Sequence, residues 1–186
     1  MKVRTFEVDG VLEITPTLHC DDRGFFSEIW SRRSLADAGF RLDFVQDNHS
    51  LSAAAGTLRG LHFQSPPHAQ AKLVRVLRGA IFDVAVDIRK GSPTFGRWIG
   101  IELSREKWNQ LLLPVGFAHG FATLVPNTEV AYKVTDYYSP ENDRAIRFDD
   151  PAIGIAWPEK SWPFQLSAKD KAAPLLADID TGFVYE

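Results

Sequence analysis

The sequence predicts an all-β fold, a barrel that carries a few short helices. Three observations support this prediction. Eleven prolines and thirteen glycines divide the 186 residues into short segments, a spacing typical of β-sandwiches and barrels. Several of these segments alternate between apolar and polar residues, as strands with two different faces do. Helical signals are few, and no linker, repeat or low-complexity tract divides the chain, so residues 1–186 are expected to form one domain.

The clearest strand covers residues 81–88. Its even-numbered positions are all apolar and would share one face: Phe82, Val84, Val86 and Ile88. The opposite face would carry Asp83, Ala85 and Asp87. Alternation predicts further strands at residues 72–78, 98–103 and 129–138, and a shorter one at 25–30. Capping residues predict two short helices: Ser31 can cap a helix through Ala38 that stops at Gly39, and Ser167 can cap one through Lys171 that ends before Pro174.

Composition excludes several classes of function. The net charge of −3 gives no electrostatic basis for a nucleic-acid partner. No apolar run approaches the roughly 20 residues of a membrane-spanning helix, and the first residues lack the apolar stretch of a signal peptide. Cys20 is the single cysteine, so no internal disulfide can form. We therefore expect a cytoplasmic protein with neither a membrane nor a nucleic-acid partner.

The densest polar cluster in an apolar setting lies at residues 58–64, which include Arg59 and His62. A single histidine in a strand is commonly a packed core residue. However, Arg59 and Lys72 add positive charge nearby, which favours a site for an anion. Arg59 and His62 are three residues apart, so a regular strand would point them to opposite faces. Both can reach one site if Gly60 lies at a bulge or bend.

A second candidate segment, residues 114–121, reads PVGFAHGF. It contains the pattern PxGxxH, which is the second sequence motif of the cupin superfamily. Pro114 and Gly116 predict a tight turn that delivers His119 onto the following strand. The alternative is a structural turn followed by a core histidine.

The first cupin motif is altered in this chain. In metal-binding cupins it reads HxH, three residues, a carboxylate, six residues and a glycine. With Gly79 in the glycine position, the carboxylate position holds Lys72, and the two histidine positions hold Pro66 and His68. An ammonium group cannot be a metal ligand. The sequence therefore predicts a cupin scaffold without its metal, in which Lys72 could stabilise an anionic intermediate.

Two more residues could act with His62. Alternation places Tyr132 on the same face as Val130 and Val134, which would point its side chain into the barrel. There it is either a core tyrosine or a proton donor. Asp170 lies near the start of the second predicted helix, where it could interact with the helix dipole or orient and stabilise a histidine.

Taken together, these segments resemble the dTDP-4-dehydrorhamnose 3,5-epimerase family, from about residue 4 to Leu176. Each segment alone is weak, but their number and order are specific. The segments that match are DRGFFSE at 22–28, FVQDNHS at 44–50, TLRGLHFQ at 57–64, PHAQAKLVR at 67–75, PVGFAHGF at 114–121, YKVTDYYSP at 132–140 and LSAKD at 166–170.

The resemblance implies a cupin-type double-stranded β-helix, or jelly roll, that works as a homodimer without metal or cofactor. It implies that His62 is the catalytic base, paired with Asp170, that Tyr132 is the acid, and that Lys72 lies near the sugar. The positions that match substrate-binding residues of the family, some of which act across the dimer, are Arg23, Glu28, Gln46, Asn48, Arg59, Lys72, His119, Tyr138, Asp143 and Lys169. Asp143 is one methylene shorter than the glutamate that is common in the family.

The implied substrate is a dTDP-4-keto-6-deoxyhexose. The implied reaction converts dTDP-4-dehydro-6-deoxy-D-glucose to dTDP-4-dehydro-L-rhamnose by inversion at C3 and C5, in dTDP-L-rhamnose biosynthesis. Three alternatives remain open at this point. They are a related epimerase that inverts C3 or C5 only, a metal-dependent cupin enzyme, and a sugar-nucleotide-binding cupin without catalytic activity.

Overall fold

A computed structural model describes residues 1–158 and 163–185. Its strands are β1 (Lys2–Thr5), β2 (Leu12–Thr15), β3 (His19–Asp21), β4 (Gly24–Phe26), β5 (Gln46–Ser52), β6 (Leu58–Gln64), β7 (Lys72–Arg78), β8 (Ala80–Asp87), β9 (Trp98–Ser104), β10 (Gln110–Leu113), β11 (Phe117–Thr123), β12 (Thr128–Val134) and β13 (Asp143–Ala145). Two short helices, α1 (Arg32–Asp37) and α2 (Ala168–Lys171), and a 3₁₀ turn at Leu176–Asp178 accompany them. Strands dominate, so the predicted all-β class is confirmed.

Two antiparallel sheets face each other. One has six strands in the order β1-β2-β10-β7-β12-β5, and the other has five in the order β13-β6-β11-β8-β9. Both sheets contribute to the apolar core between them, with Val74, Leu111 and Val130 from the first and Ala85 and Phe121 from the second. This arrangement is the predicted cupin-type jelly roll.

Both outer sheet faces are also covered. Val84 and Val86 on β8 pack against C-terminal residues, including Leu176 and Phe183. The alternation predicted for β8 is therefore confirmed, and the face that carries its aspartates is the one that looks into the barrel. On the six-stranded sheet, the outward-facing leucines pack against the segment around α1. Each large sheet is therefore packed on both of its faces.

Gly60 lies at a bulge, which is the condition under which Arg59 and His62 can point to the same side. His62 pairs with His119 and Arg59 with Phe121, so three steps along β6 match two along β11. His119 and Phe121 are two residues apart and share the inner face of the sheet. The extra residue in β6 therefore turns Arg59 and His62 to the same side. Gly60 itself has a φ of +121°, a conformation that glycine adopts readily.

Two of the predicted strands are too long. The strand predicted at 129–138 ends at Val134, because Val134 pairs with Lys72 and Gln46, the first residues of its two neighbouring strands. Tyr138 therefore lies in the loop beyond the strand. The strand predicted at 25–30 ends at Phe26, since its only partner is the three-residue β3.

Both predicted helices are confirmed. The Ser31 side chain accepts a hydrogen bond from the backbone of Ser34, and Gly39 follows the helix with a φ of +94°. Ser167 caps α2 through the backbone N–H of Asp170. In the described part of the chain, no helix has both the length and the apolar character needed to cross a lipid bilayer.

Candidate active site

A cavity of about 210 Å³ opens between the two sheets. Most of the residues that the sequence analysis selected line this cavity. Three further side chains that it did not select also line it, those of Phe63, Gln64 and Gln70. The lining residues are Gln46, Asn48, His62, Phe63, Gln64, Gln70, Lys72, Tyr132, Tyr138, Asp143 and Lys169. Strands of both sheets, the loops that follow β6 and β12, and the start of α2 supply these side chains.

His62 and Asp170 form a hydrogen-bonded pair at the wall of this cavity. His62 Nε2 lies 2.5 Å from Asp170 Oδ1. The carboxylate is only 3% exposed, and its second oxygen accepts a hydrogen bond from Ser167 Oγ at 2.8 Å. Burial opposes the ionisation of Asp170, but the hydrogen bonds from His62 and Ser167 outweigh it and hold its pKa below the ordinary value. One ring nitrogen is thus held by a carboxylate, and the other can accept a proton.

Lys72 is a buried cation beside this pair. Its Nζ donates to the backbone carbonyl of His62 at 3.4 Å. Burial lowers the pKa of Lys72 to about 8, although the negative charges of Asp143 and Asp83 favour the ammonium form. A charge with so little access to water acts strongly on any negative charge that develops near it.

Tyr132 reaches the cavity from the other sheet. It lies on β12 between Val130 and Val134, which are each 1% exposed, so the inward orientation predicted for it is confirmed. Burial raises the pKa of the Tyr132 phenol, and the positive charge of Arg59 partly opposes this. The phenol therefore keeps its proton at neutral pH and can donate it. His62, on the five-stranded sheet, occupies the opposite wall.

Asp83 is a residue that the sequence analysis missed. His119 Nε2 lies 2.7 Å from Asp83 Oδ1, and both side chains are buried. The other carboxylate oxygen of Asp83 has no hydrogen-bond partner within the described residues. His119 pairs with His62 across the sheet but does not line the cavity. The position of Asp83 on the acidic face of β8 was the available signal, but only the pairing of β8 with β11 shows its partner.

A second cluster closes the mouth of the cavity around Asp143. The carboxylate accepts hydrogen bonds from Lys169 Nζ and, at 3.2 Å, from the hydroxyl of Tyr138. The backbone N–H of Tyr138 in turn donates to Gln46 Oε1 at 3.2 Å, and Gln46 Nε2 donates to Asn48 Oδ1 at 2.9 Å. Four residues predicted from the resemblance to bind substrate are thus joined to Asp143 in one network.

Four predicted substrate residues do not line the cavity of their own chain. His119 is paired with Asp83, as described above, and the Arg59 guanidinium donates to Ser52 Oγ and to the Leu51 carbonyl, each at 3.4 Å.

The other two are Arg23 and Glu28. Arg23, in the β3–β4 turn, forms an ion pair with Asp21, with Nη2 2.5 Å from Oδ2. Glu28 accepts a hydrogen bond from Ser34 Oγ at 2.8 Å. Neither residue lines the cavity, so within a single chain the structure does not bring them to the site.

The residues at the cupin metal positions have other partners. His68 Nδ1 lies 3.1 Å from Asp136 Oδ2, and Lys72 lies at the base of the cavity. In residues 1–158 and 163–185, no three His, Cys, Asp or Glu side chains are grouped so that they could hold a metal ion. The absence of a metal from the reaction remains a prediction, which rests on the side chains that stand at these positions.

Comparison with known proteins agrees with this geometry. A model of the dTDP-4-dehydrorhamnose 3,5-epimerase family matches residues 5–178. The chain is 51% identical to the dTDP-4-dehydrorhamnose 3,5-epimerase of Sinorhizobium fredii, over 100% of this chain and 94% of the relative. It is 52% identical to the enzyme of Salmonella typhimurium, over 91% of this chain and 92% of the relative.

Solved structures show the same similarity. An epimerase from Legionella pneumophila in complex with dTDP-4-keto-L-rhamnose superimposes with a TM-score of 0.94 at 46% identity, covering 100% of this chain and 98% of that one. A 3'-monoepimerase from Streptomyces bikiniensis in complex with dTDP-quinovose superimposes with a TM-score of 0.86 at 35% identity, covering 92% and 86%. The fold therefore accommodates enzymes described as double and as single epimerases.

Proposed function

Because the chain belongs to the dTDP-4-dehydrorhamnose 3,5-epimerase family, we propose that it converts dTDP-4-dehydro-6-deoxy-D-glucose to dTDP-4-dehydro-L-rhamnose, a step of dTDP-L-rhamnose biosynthesis. One observation carries the proposal beyond similarity. His62 and Tyr132 line opposite walls of a single cavity, one on each sheet. Inversion at a carbon atom needs a base on one face and an acid on the other, and this cavity supplies both.

The first half of the reaction removes a proton next to the ketone. The 4-keto group acidifies the C–H bonds at C3 and C5, because loss of either proton gives an enolate. His62 takes the proton, and the buried carboxylate of Asp170 stabilises the imidazolium that forms. Lys72, as a buried ammonium group, stabilises the negative charge that develops on O4.

The second half returns a proton to the opposite face. Tyr132 holds its proton at neutral pH because burial raises the pKa of its phenol. It donates this proton to the enolate carbon, which leaves that carbon with the inverted configuration. Substrate and product are ketones of equal oxidation state, so the conversion needs no net redox step and no redox cofactor.

The nucleotide is held by the polar groups around the mouth of the cavity. Lys169 at the mouth supplies positive charge for the diphosphate, and so does Arg59, which does not line the cavity but is near enough for its charge to act on Tyr132. Guanidinium and ammonium groups both bind phosphate oxygens. Gln46 and Asn48, whose amides are already aligned by a mutual hydrogen bond, offer donors and acceptors beside them.

We also propose a homodimer in which Arg23 and Glu28 bind the nucleotide of the partner subunit. The β3–β4 hairpin is paired with neither large sheet, and its Phe26 is 71% exposed. An exposed aromatic side chain next to an arginine is suited to pack on a nucleotide base and pair with its phosphates. The protein is proposed to act in the cytoplasm, where the reducing environment would keep the exposed thiol of Cys20 free.

Incubation with dTDP-4-dehydro-6-deoxy-D-glucose in D₂O, followed by NMR of the product, tests the function. We expect deuterium at both C3 and C5 and the L-rhamno configuration. Inversion at one carbon with the other centre retained would assign the chain to the single epimerases, as in the Streptomyces bikiniensis protein. Binding of the nucleotide sugar without any exchange would contradict an enzymatic role.

A further inference from the structure

Lys169 is one of the cations proposed above for the diphosphate, yet in this structure its ammonium group is already engaged. Its Nζ donates to Asp143 Oδ2. The side chain of Lys169 is 48% exposed and that of Asp143 is 20% exposed, so the pair lies at the boundary between the cavity and solvent. An anion that binds at the cavity mouth must therefore compete with the Asp143 carboxylate for the Lys169 ammonium group.

The carboxylate is held more firmly than the ammonium. Asp143 begins β13 and pairs with Gln64 on β6, and its Oδ2 also accepts a hydrogen bond from Tyr138. Lys169 extends from the four-residue helix α2 on a long flexible side chain. When the two separate, the lysine moves, while Asp143 keeps Tyr138 as a partner.

We propose that Asp143 is an internal counter-ion, which binds Lys169 in the free enzyme and is exchanged for the diphosphate when the nucleotide sugar binds. This inference rests on the function proposed above. The exchange is of one anion for another on the same cation, and it needs no other change in the fold. Asp143 should therefore weaken nucleotide binding, because the ion pair between Asp143 and Lys169 must break before Lys169 can bind the phosphates.

A direct contact between Asp143 and substrate leads to the opposite expectation. If the carboxylate accepted hydrogen bonds from the nucleotide or the sugar, its replacement by an amide would weaken binding. If Asp143 competes for Lys169, the same replacement strengthens binding. The sign of the change therefore separates the two roles.

Calorimetric titration with dTDP, using the full chain, measures this sign. A partly exposed ion pair contributes up to about 1 kcal/mol, so Asp143→Asn should bind dTDP about two- to fivefold more tightly than the wild type. Asp143→Glu keeps the charge and can still reach Lys169, so its affinity should stay close to that of the wild type. If Asp143→Asn does not fold, as judged by its thermal unfolding transition, Asp143→Ser replaces it.

The matched control places the same change in a Lys169→Met background. Without the ammonium group there is nothing to compete for, so Asp143→Asn should give no gain there. A gain of the same size in both backgrounds would mean simple repulsion between Asp143 and the phosphates and would overturn the proposal, as would weaker or unchanged binding by Asp143→Asn alone. If the wild type fails to bind dTDP, the proposed function itself is wrong.

Discussion

At the scale of single residues, Lys72 has the least usual environment of the site. A buried ammonium group costs stability, because water no longer solvates its charge. In cupins that bind metal, the same position holds an acidic ligand. In this chain the positive charge near the reacting atoms comes from the Lys72 side chain instead of from a bound metal ion.

The activity of the free enzyme should depend on the charge of Lys72. Since burial lowers the pKa of Lys72 to about 8, kcat/KM should fall as the pH rises through that value. Lys72→Arg stays protonated over this range, so any activity it retains should lack the alkaline decrease. A wild-type profile that stays flat to pH 10 would show that the ammonium form is not required.

The same group should affect the free energy of unfolding. Between about 8, the pKa of Lys72 in the fold, and 10.5, its ordinary value, the unfolded chain binds more protons than the folded one. The cost of burying the Lys72 charge therefore diminishes as the pH rises through this window, and the free energy of unfolding rises by roughly 3 kcal/mol in total. Urea denaturation at several pH values, with Lys72→Met as the reference, measures the difference, and parallel curves would contradict the assignment.

Activity should also survive exhaustive treatment with a metal chelator. The expectation rests on Pro66 and Lys72, which stand where cupin metal ligands would be and which offer no ligand atom. Turnover is measured before and after dialysis against chelator. A loss of activity that one divalent ion restores would overturn the metal-free mechanism.

At the scale of secondary-structure elements, the bulge in β6 matters most, since it turns Arg59 and His62 to the same side. A Cβ atom added at Gly60 would lie 2.6 Å from Gly120 Cα and 2.7 Å from the carbonyl oxygen of His119. Both of these are backbone atoms, which cannot rotate away. The bulge therefore requires glycine for reasons of space as well as of backbone conformation.

Gly60→Ala should destabilise the fold by about 1–3 kcal/mol through strain and overpacking, and lower kcat by displacing His62. Gly91→Ala is a matched control. Gly91 also has a positive φ, of +84°, but a Cβ atom there would meet nothing within 4 Å. Urea midpoints and turnover numbers of both variants make the comparison. Equal losses in the two variants would show that the φ angle alone matters.

The sequence predicted strands and helices well where their signal lies in neighbouring residues. Alternation predicted β7, β8 and β9, and the serine caps predicted both helices. The odd spacing of Arg59 and His62 showed only that a bulge would be needed if both were to reach one site. Strand ends were less predictable, because the end of β12 depends on where its neighbours begin. Asp170 is 108 residues from His62, so the resemblance could suggest their pairing but no local pattern could show that the Asp170 carboxylate contacts this histidine.

At the scale of the whole molecule, one chain does not bring to its own cavity every residue that the resemblance assigns to the site. Arg23 and Glu28 lie outside the cavity. The β3–β4 hairpin that precedes Glu28 pairs with neither large sheet, although the ring of Phe25 packs against that of Trp108. In the proposed dimer Arg23 and Glu28 act on the partner subunit, and no pattern within one chain can locate such a contact. Similarity therefore assigned Arg23 and Glu28 to the site, but no sequence pattern predicted their position.

Sedimentation should show a dimer, and mixing two inactive variants should restore activity. His62→Asn lacks the base but keeps its hairpin, while Arg23→Ala keeps the base but has a defective hairpin. In a mixed dimer, the cavity that has His62 receives Arg23 from its partner and should regain turnover. A fully active monomer, or no recovery after subunit exchange has been demonstrated, would contradict a site shared between subunits.

Proton transfer from opposite walls of the cavity is the central claim, and hydrogen exchange in D₂O tests it most directly. His62→Asn should neither invert the sugar nor exchange its carbon-bound hydrogen, because no base remains to form the enolate. Tyr132→Phe keeps the aromatic ring but loses its transferable proton. His62 can still form the enolate and return a deuteron to the same face. NMR should therefore show exchange without inversion for Tyr132→Phe. Near-normal formation of the inverted sugar by this variant would contradict the account, and His119 would be the next acid to test.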